Sequence, residues 1–165
     1  MIRVSIVLIA VASLAGPGCK KKEEGGAGAS GKSSEPAKPA GPTKLPKLGL
    51  QIEAPGSVTV GDAVMGEGHM LQGSGIGAMQ IETASKPMTL EEAKSDADMY
   101  SPKNLKEETL ADGWALTFEN KGGAGTNYWV NVRREIGGKS IACTTTGSDA
   151  KQAAAVLAAC KSLKP

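Results

Sequence analysis

The sequence predicts an α+β fold, in which an antiparallel β-sheet is flanked by helices within a single compact domain. Short segments of alternating apolar and polar residues recur between glycine-rich turns, a pattern typical of strands. Two further stretches carry the apolar spacing of a helix. The domain predicted from these patterns spans residues 48–165, a length typical of one hydrophobic core.

Three strands are predicted in the first half of this domain. Residues 48–54 and 58–64 form two short strands on either side of a turn at Pro55-Gly56. Residues 76–83 form a third strand after a segment punctuated by glycines. The turn is expected here because proline and glycine supply the backbone angles that tight turns need.

A helix is predicted to begin at Thr89 and to end before Pro102. Thr89 and Glu92 have the spacing of a capping box, in which each side chain satisfies a free backbone N–H of the first turn. The apolar residues that follow recur at helical spacing, namely Leu90, Ala93, Ala97 and Tyr100.

The second half is predicted to be mostly strands. Residues 105–110 lead into an Asp112-Gly113 turn, after which Trp114, Leu116 and Phe118 alternate with Ala115, Thr117 and Glu119. Residues 126–136 and 140–146 are the clearest strands. Gly137-Gly138 joins them, since two glycines tolerate the positive φ angles of a two-residue hairpin.

The hairpin turn also predicts a register. It places Ile136 opposite Lys139, Arg134 opposite Ile141, Val132 opposite Cys143 and Val130 opposite Thr145. One side then forms the core face, with Tyr128, Val130, Val132, Ile141 and Cys143.

A closing helix is predicted over residues 149–163, capped by Ser148. Its apolar stripe comprises Ala153, Val156, Leu157, Cys160 and Leu163. Cys143 and Cys160 therefore point into the same layer, where an oxidising compartment would pair them. Such a disulfide closes a loop of about 17 residues and is worth roughly 3 kcal/mol. Two buried reduced thiols are the alternative.

The opposite face of the hairpin carries a candidate binding surface, formed by Trp129, Asn131 and Arg133 together with Glu135, Thr144 and Thr146. Tryptophan and arginine dominate binding hot spots, so this composition suits an interaction surface. The alternative is that the helix starting at Thr89 covers Trp129 and makes it part of the core, which the small number of aromatic residues favours.

The N-terminal residues 1–18 are typical of a secretory signal, with a positive start, an apolar run over residues 4–15 and small residues after it. The apolar run is too short to span a bilayer, which takes roughly 20 residues. A secreted chain with three cysteines leaves one unpaired, and Cys19 is the one distant from the other two.

The segment Leu-Ala-Gly-Pro-Gly-Cys that ends at Cys19 resembles the lipobox of bacterial lipoproteins. The resemblance implies that Cys19 is diacylated, exposed by signal cleavage and anchored in a membrane. Lys20 follows it where some lipoproteins carry the aspartate that retains them at the inner membrane, which favours the outer membrane. The alternative is an ordinary secreted protein that is cut near Gly18 and keeps a free thiol.

Residues 19–47 are predicted to be a disordered tether of Lys, Gly, Ala, Ser and Pro, because they hold too little apolar surface to offset the entropy of ordering. Residues 20–47 carry seven basic against three acidic side chains, whereas residues 48–165 carry 11 against 14. The basic charge therefore lies beside the anchor, where it suits anionic headgroups. A nucleic-acid partner is not expected, since the folded domain is acidic.

Catalytic and metal-binding signatures are weak. Gly138-Lys139-Ser140 resembles the end of a phosphate-binding loop, but Arg133 stands where the first glycine is required. His69 is the only histidine, and no nucleophile elbow surrounds any serine. The acidic run Glu91, Glu92, Asp96 and Asp98 lacks the spacing of a calcium loop. We expect no catalytic residue, no metal site and no cofactor.

Over residues 48–165, the order of elements and the sequences Asp112-Gly113-Trp114 and Ile52-Glu53-Ala54-Pro55 resemble the PsbP-like fold, named for a subunit of the photosynthetic oxygen-evolving complex. The resemblance implies a binding or assembly role rather than catalysis. The sequence therefore predicts a lipid-anchored protein of the bacterial cell envelope that acts as a non-enzymatic binding or assembly module toward a protein or the cell wall. A small-ligand or lipid-binding protein is the alternative, and a hydrolase is less favoured.

Overall fold

The computed structural model describes residues 41–165. The predicted signal peptide, Cys19 and the first part of the predicted tether lie outside the described residues. Within residues 41–165 the chain forms nine strands and two helices. In chain order they are β1 (Thr43–Leu45), β2 (Leu50–Ile52), β3 (Thr59–Asp62), β4 (Gly68–Gly73), β5 (Gly77–Thr83), α1 (Leu90–Asp98), β6 (Lys103–Leu110), β7 (Gly113–Gly122), β8 (Gly125–Ile136), β9 (Lys139–Gly147) and α2 (Ala150–Lys161).

Seven strands form one sheet in the order β3-β4-β5-β9-β8-β7-β6, and every neighbouring pair is antiparallel. The short strands β1 and β2 form a separate antiparallel hairpin. Helix α2 packs on β8 and β9, whereas α1 packs on β7. The α+β class is confirmed, with the antiparallel sheet as its main component.

The two helices lie on opposite faces of the sheet. Alternation along β8 puts Val130, Val132 and Arg134 on the side of α2, which we call the α2 face, and Trp129, Asn131 and Arg133 on the side of α1, which we call the α1 face. The predicted hairpin register is confirmed, and Gly137 and Gly138 have φ angles of 62° and 75°. That register decides which side chains can form a core and which can form a site.

The α2 face holds the larger core. Apolar residues from the sheet, α2 and the β1–β2 hairpin form a single buried cluster that includes Ile81, Val132, Ile141, Val156, Leu45 and Ile52. Cys143 and Cys160 are fully buried within it and form a disulfide with an S–S distance of 1.99 Å. This face is where the predicted core residues Val130, Val132, Ile141 and Cys143 lie, while Tyr128 is only half-buried.

Arg134 ties the end of α2 to the sheet. Its Nε and Nη2 donate to the two carboxylate oxygens of Asp112 at 2.6 and 2.7 Å. Its Nη1 donates to the carbonyl of Lys161 at 2.8 Å and lies 3.4 and 3.3 Å from those of Cys160 and Leu163. A cation at this position satisfies unpaired carbonyls and the negative end of the helix dipole. The same guanidinium holds the pKa of Asp112 below its usual range.

Two strands were not predicted. Strand β1 lies within residues 19–47, which the sequence predicts to be a tether, and its Leu45 is fully buried. Strand β4 lies in the segment interpreted as a glycine-punctuated connection. Gly68 is needed there because the backbone of Ile81 and Glu82 occupies the space that a Cβ would take. Glycine at such a position hides the alternation that marks a strand.

Some predicted boundaries also need correction. The cap of α2 is Asp149, whose carboxylate accepts from the backbone N–H of Lys151 at 2.7 Å, and not Ser148. The predicted strand over residues 48–54 is shorter, since Leu48 and Gly49 form the turn before β2. The capping box at Thr89 and Glu92 is confirmed, with the backbone N–H of Thr89 donating to the Glu92 carboxylate at 2.8 Å.

Candidate functional site

Helix α1 covers only one end of the α1 face. Its Ala93 and Ala97 pack on the apolar residues of β7, which are Trp114, Leu116 and Phe118. The indole N–H of Trp114 donates to the carbonyl of Met88 at 3.0 Å, which fixes the chain just ahead of the helix. The central strands β5, β9 and β8 extend beyond the helix and leave a cleft of about 480 Å³.

The floor of the cleft is built from side chains that the strand register aligns. Gln80, Thr144 and Asn131 lie in one row across β5, β9 and β8. Glu82, Ala142 and Arg133 form the next row on the same face, but they lie outside the lining of the cleft. Neighbouring strands are about 4.8 Å apart, so the polar groups of a row repeat at that spacing. The central row of the floor is thus polar, whereas Met70 and Ala78 beside it and the surface under α1 are apolar.

Three aromatic rings form a wall at the helix end of the cleft. The centroid of Trp129 lies 5.3 Å from that of Phe118, with the rings nearly parallel, and 4.6 Å from that of Tyr100. The indole N–H of Trp129 donates to Asn120 Oδ1 at 3.0 Å, and Asn120 Nδ2 donates to the Tyr100 carbonyl at 3.2 Å. These bonds hold the wall in one arrangement, with 43% of Tyr100 still exposed.

The predicted binding face is therefore only partly covered. Trp129 is half-buried against Phe118 and Tyr100, while Asn131 lies on the open floor beyond the helix. Arg133 lines an adjacent hollow beside Trp114. The helix packs against Trp129, which was one of the two alternatives from the sequence. It leaves part of the ring uncovered, together with the half-buried row of Gln80, Thr144 and Asn131.

Two polar groups of this face lack a hydrogen-bond partner among residues 41–165. They are Asn131 Oδ1 and Arg133 Nε, and both atoms are shielded from solvent. Burial lowers the pKa of the Arg133 guanidinium, and the charge of Glu82 opposes that shift. A buried polar group without a partner costs about 1–3 kcal/mol, so these two atoms lower the stability of the α1 face.

The loop between β3 and β4 lies beside the α1 face, close to β5. Its backbone N–H at Val64 donates to Gln80 Oε1 at 3.4 Å, which brings the connection toward the floor of the cleft. Val64 and Met65 are 76% and 74% exposed there. Their exposure could not be predicted from the sequence, because two isolated apolar residues among glycines carry no periodic signal.

The residues considered for catalysis have structural roles. His69 is 4% exposed, and its Nε2 accepts from the Lys47 backbone N–H at 3.1 Å while its Nδ1 lies 3.3 Å from the Gly61 carbonyl. These bonds require a proton on Nδ1 and none on Nε2. Gly138-Lys139-Ser140 forms the hairpin turn into β9.

The acidic run on α1 does not form a cluster. Glu92 caps the helix, Glu91 pairs with Lys94 at 3.3 Å, and Asp96 lines the cleft. In the part of the chain that the structure describes, no three acidic, histidine or cysteine side chains come together as a metal site would require. The run is a solvated helix face with one carboxylate, Asp96, turned toward the cleft.

No protein-family model matches this chain, and no curated protein is significantly similar to it. Neither of the helices within residues 41–165 has the length and apolar character needed to cross a bilayer. Residues 41–165 form an α+β domain with a mainly antiparallel sheet and an open, aromatic-walled cleft on its α1 face.

Proposed function

We propose that this chain is a lipid-anchored protein of the bacterial cell envelope and that its domain is a non-enzymatic binding or assembly module. The observation that carries the proposal is the cleft on the α1 face. It combines an aromatic wall with a polar floor, which is the composition of binding sites. A protein or the cell wall is the expected partner.

The unpaired polar groups support a binding role rather than a merely structural one. A sheet face that served only as a core would bury apolar residues, as the α2 face does. The α1 face instead places Asn131 Oδ1 and Arg133 Nε where neither has a partner among the described residues. Such groups cost folding free energy, so the α1 face is not built for stability alone.

The envelope location rests on the sequence and is supported by the cysteines. A buried disulfide between Cys143 and Cys160 suits an oxidising compartment outside the cytoplasm. It also leaves Cys19 as the unpaired thiol that lipidation would explain. Lys20 favours the outer membrane as the site of the anchor.

A PsbP-like fold is part of the same proposal. The supporting features are an antiparallel sheet with one helix on each face and the turn at Asp112-Gly113 that opens β7. Proteins with that fold mostly bind or assemble, in agreement with the proposed role.

Small-ligand binding is the second candidate function. The volume of the cleft, about 480 Å³, falls within the range of about 300–1,000 Å³ that small-molecule sites occupy. A hydrolase is less favoured, because both ring nitrogens of His69 already serve backbone groups.

Photo-crosslinking in intact cells tests the binding site. A photoreactive residue at Thr146, an exposed position that lines the cleft, is compared with one at Lys151 on the outer side of α2. We expect adducts from Thr146 that are absent from Lys151. Adducts that are the same from both positions, or none from Thr146, would contradict the proposed site.

The variant Trp129→Ala links these adducts to the aromatic wall. We expect it to abolish the Thr146 adducts and to destabilise the domain by about 2 kcal/mol, because the ring is half-buried and loses its contacts with Tyr100 and Phe118. Urea denaturation measures the second effect. A loss of about 3–5 kcal/mol, the cost of truncating a fully buried tryptophan, would make Trp129 a core residue and refute its binding role.

Membrane fractionation tests the anchor. We expect Cys19→Ser to be released from the membrane or retained as the unprocessed precursor, because serine cannot form the thioether to the lipid. A variant that fractionates and migrates like the parent would refute lipidation at Cys19.

A further inference from the structure

The two edges of the seven-stranded sheet differ in how they are protected. The β6 edge carries lysine and glutamate side chains along its length and has an irregular register between Lys103 and Lys106. Charges and bulges of this kind keep other chains from pairing with an edge strand. The β3 edge has an unbroken register with β4, and all four of its residues, Thr59–Asp62, are exposed. It is therefore the edge at which a further strand can add.

The hydrogen bonds beside β3 show which of its backbone groups point outward. Ala63, directly after the strand, donates its N–H to the Gly68 carbonyl of β4 at 3.2 Å. Successive residues of an antiparallel strand point alternately toward the neighbouring strand and away from it. Gly61 therefore faces β4, whereas the N–H and C=O groups of Val60 and Asp62 face away. Within residues 41–165 these outward groups have no hydrogen-bond partner, so they can pair with an added strand.

The side chains of β3 do not oppose pairing with a second copy of the same strand. The only charged one, Asp62, is bonded to Lys47 Nζ at 2.7 Å, so its charge is balanced within its own chain. Gly61 has no side chain that could clash with an added strand. Val60 is apolar and 36% exposed in the middle of the edge. A β-branched residue in this position is stabilised by an apolar residue directly opposite.

We infer that β3 pairs antiparallel with β3 of a second copy of this chain, which joins the two sheets across a two-fold axis. Val60 then lies opposite its counterpart in the copy, and the two residues exchange both backbone hydrogen bonds. Asp62 lies opposite Val58 of the copy and donates its N–H to that carbonyl. This interface is separate from the cleft on the α1 face, so it goes beyond the binding site proposed there.

Other registers that pair outward groups with outward groups are less favourable. One of them places Asp62 opposite its own counterpart, and like charges directly opposite each other are destabilising. Another places the apolar Val60 opposite Asp62, which gives the valine no apolar contact. The register centred on Val60 avoids both of these pairs, which is why we assign it.

The length of β3 indicates how strong the pairing is. Stable dimers bury about 1,200–2,000 Å² of surface, more than a pair of four-residue strands provides. The dimer is therefore weak and reversible, and it forms where the local concentration of the chain is high. A membrane anchor supplies such a concentration by confining the chains to one surface, and this step alone rests on the proposed function.

Cysteine crosslinking in intact cells tests the register. Val60→Cys is compared with Thr59→Cys, its neighbour on the same exposed strand, with copper phenanthroline as the oxidant. Across the dimer, the two Cα atoms of position 60 are about 5.5 Å apart, within the range that a disulfide spans. Those of position 59 are about 8 Å apart, which is beyond that range. We expect a disulfide-linked dimer from Val60→Cys and none from Thr59→Cys or the parent.

Two double variants test the backbone pairing itself. Val60→Cys is combined either with Asp62→Pro, which removes an outward N–H, or with Asp62→Asn, which keeps it. Both changes remove the carboxylate that pairs with Lys47, so the asparagine variant is the matched control. We expect the dimer to be lost with proline and retained with asparagine. Thermal denaturation shows whether both variants fold, and if the proline variant does not, the comparison of positions 59 and 60 decides.

The remaining outcomes separate this inference from the proposed anchor. Equal dimer from positions 59 and 60, no dimer from position 60, or a crosslink from position 60 only to a different protein would overturn the inference. Fractionation of the same cells reports on the anchor. A chain that dimerises at position 60 but is absent from the membrane fraction supports the dimer and refutes the anchor. A membrane-bound chain without the dimer supports the anchor and overturns the inference.

Discussion

The two faces of the sheet are built from the same strands, yet they use their residues differently. On the α2 face, a helix, a disulfide and the β1–β2 hairpin enclose a continuous apolar cluster. On the α1 face, a nine-residue helix covers mainly β7, and polar side chains occupy much of the strands beyond it. Successive residues of β8 therefore alternate between stabilising the fold and forming the candidate site.

Arg133 and Arg134 show the difference most directly. Arg134 makes two bonds to Asp112 and reaches carbonyl groups at the end of α2. Arg133, the next residue in the chain but on the opposite face, has an Nε atom without a partner among residues 41–165. One arginine stabilises the fold through its hydrogen bonds, whereas the Nε of the other makes none among the described residues.

Among the changes to the two faces, removal of the disulfide is expected to have the largest effect on the free energy of unfolding. Replacing Cys143 and Cys160 together by alanine should lower the free energy of unfolding by roughly 3 kcal/mol, because the crosslink restricts a loop of 17 residues in the unfolded chain. Urea denaturation measures the change, and the parent treated with a reducing agent is the control. A loss below about 1 kcal/mol would mean that packing alone holds α2 in place.

The two arginines provide the next test. Arg134→Ala should cost about 2 kcal/mol, since it leaves the Asp112 carboxylate and carbonyls of α2 without their donor. Arg133→Ala should change the stability by no more than about 0.5 kcal/mol, because no bond is lost. Equal losses in urea denaturation would contradict the assignment of separate roles.

The Asp112 pair also makes the stability of the α2 face depend on pH. Arg134 depresses the pKa of Asp112 in the folded state, so the stabilisation is complete above the unfolded value of about 3.9 and is lost as the pH falls through the folded value. The advantage of the parent over Asp112→Asn should therefore shrink below about pH 4 in denaturation experiments. An advantage that is independent of pH would show that the carboxylate charge is not responsible.

Asp62 is the control for that experiment. Its pKa is also lowered, by the hydrogen bond from Lys47, but the pair is exposed to solvent. The effect of Asp62→Asn should disappear at ~1 M salt, where exposed charges are screened, whereas the effect of Asp112→Asn should persist.

The smallest effect is expected on the floor of the cleft. Asn131→Ala should leave the free energy of unfolding within about 0.5 kcal/mol of the parent, or raise it, because it deletes a buried acceptor that has no partner among the described residues. Thermal and urea denaturation measure this. A loss above about 1 kcal/mol would reveal a structural bond at Asn131 and weaken the case for a binding role.

The sequence predicted the α2 face well for a physical reason. Two glycines set the hairpin turn, the turn sets the register, and the period of two then assigns each side chain to a face. The position of Cys143 opposite Val132 follows from these steps. The cap of α2 was misplaced by one residue because Ser148 and Asp149 are both good capping residues, and only the backbone geometry selects between them.

The extent of the α1 face could not be predicted in the same way. Where a helix ends on a sheet depends on packing between distant segments, such as the Trp114 indole and the Met88 carbonyl. Strand β1 was missed because its one buried residue, Leu45, stands among proline and lysine residues that suggest a tether. The candidate residues Trp129 and Asn131 were found from the sequence, but the cleft beside them depends on tertiary structure.

The β1–β2 hairpin determines how the domain responds to a mechanical load. A pull on the chain ahead of Thr43 acts first on the pair Thr43↔Ile52, at the open end of the hairpin, and then on Leu45↔Leu50. These bonds break one after another, as in unzipping, rather than all together. The seven-stranded sheet does not contain β1, so the strand can peel away while the strands that form the cleft keep their pairing. We therefore expect the β1–β2 hairpin to open under load before the strands that form the cleft separate.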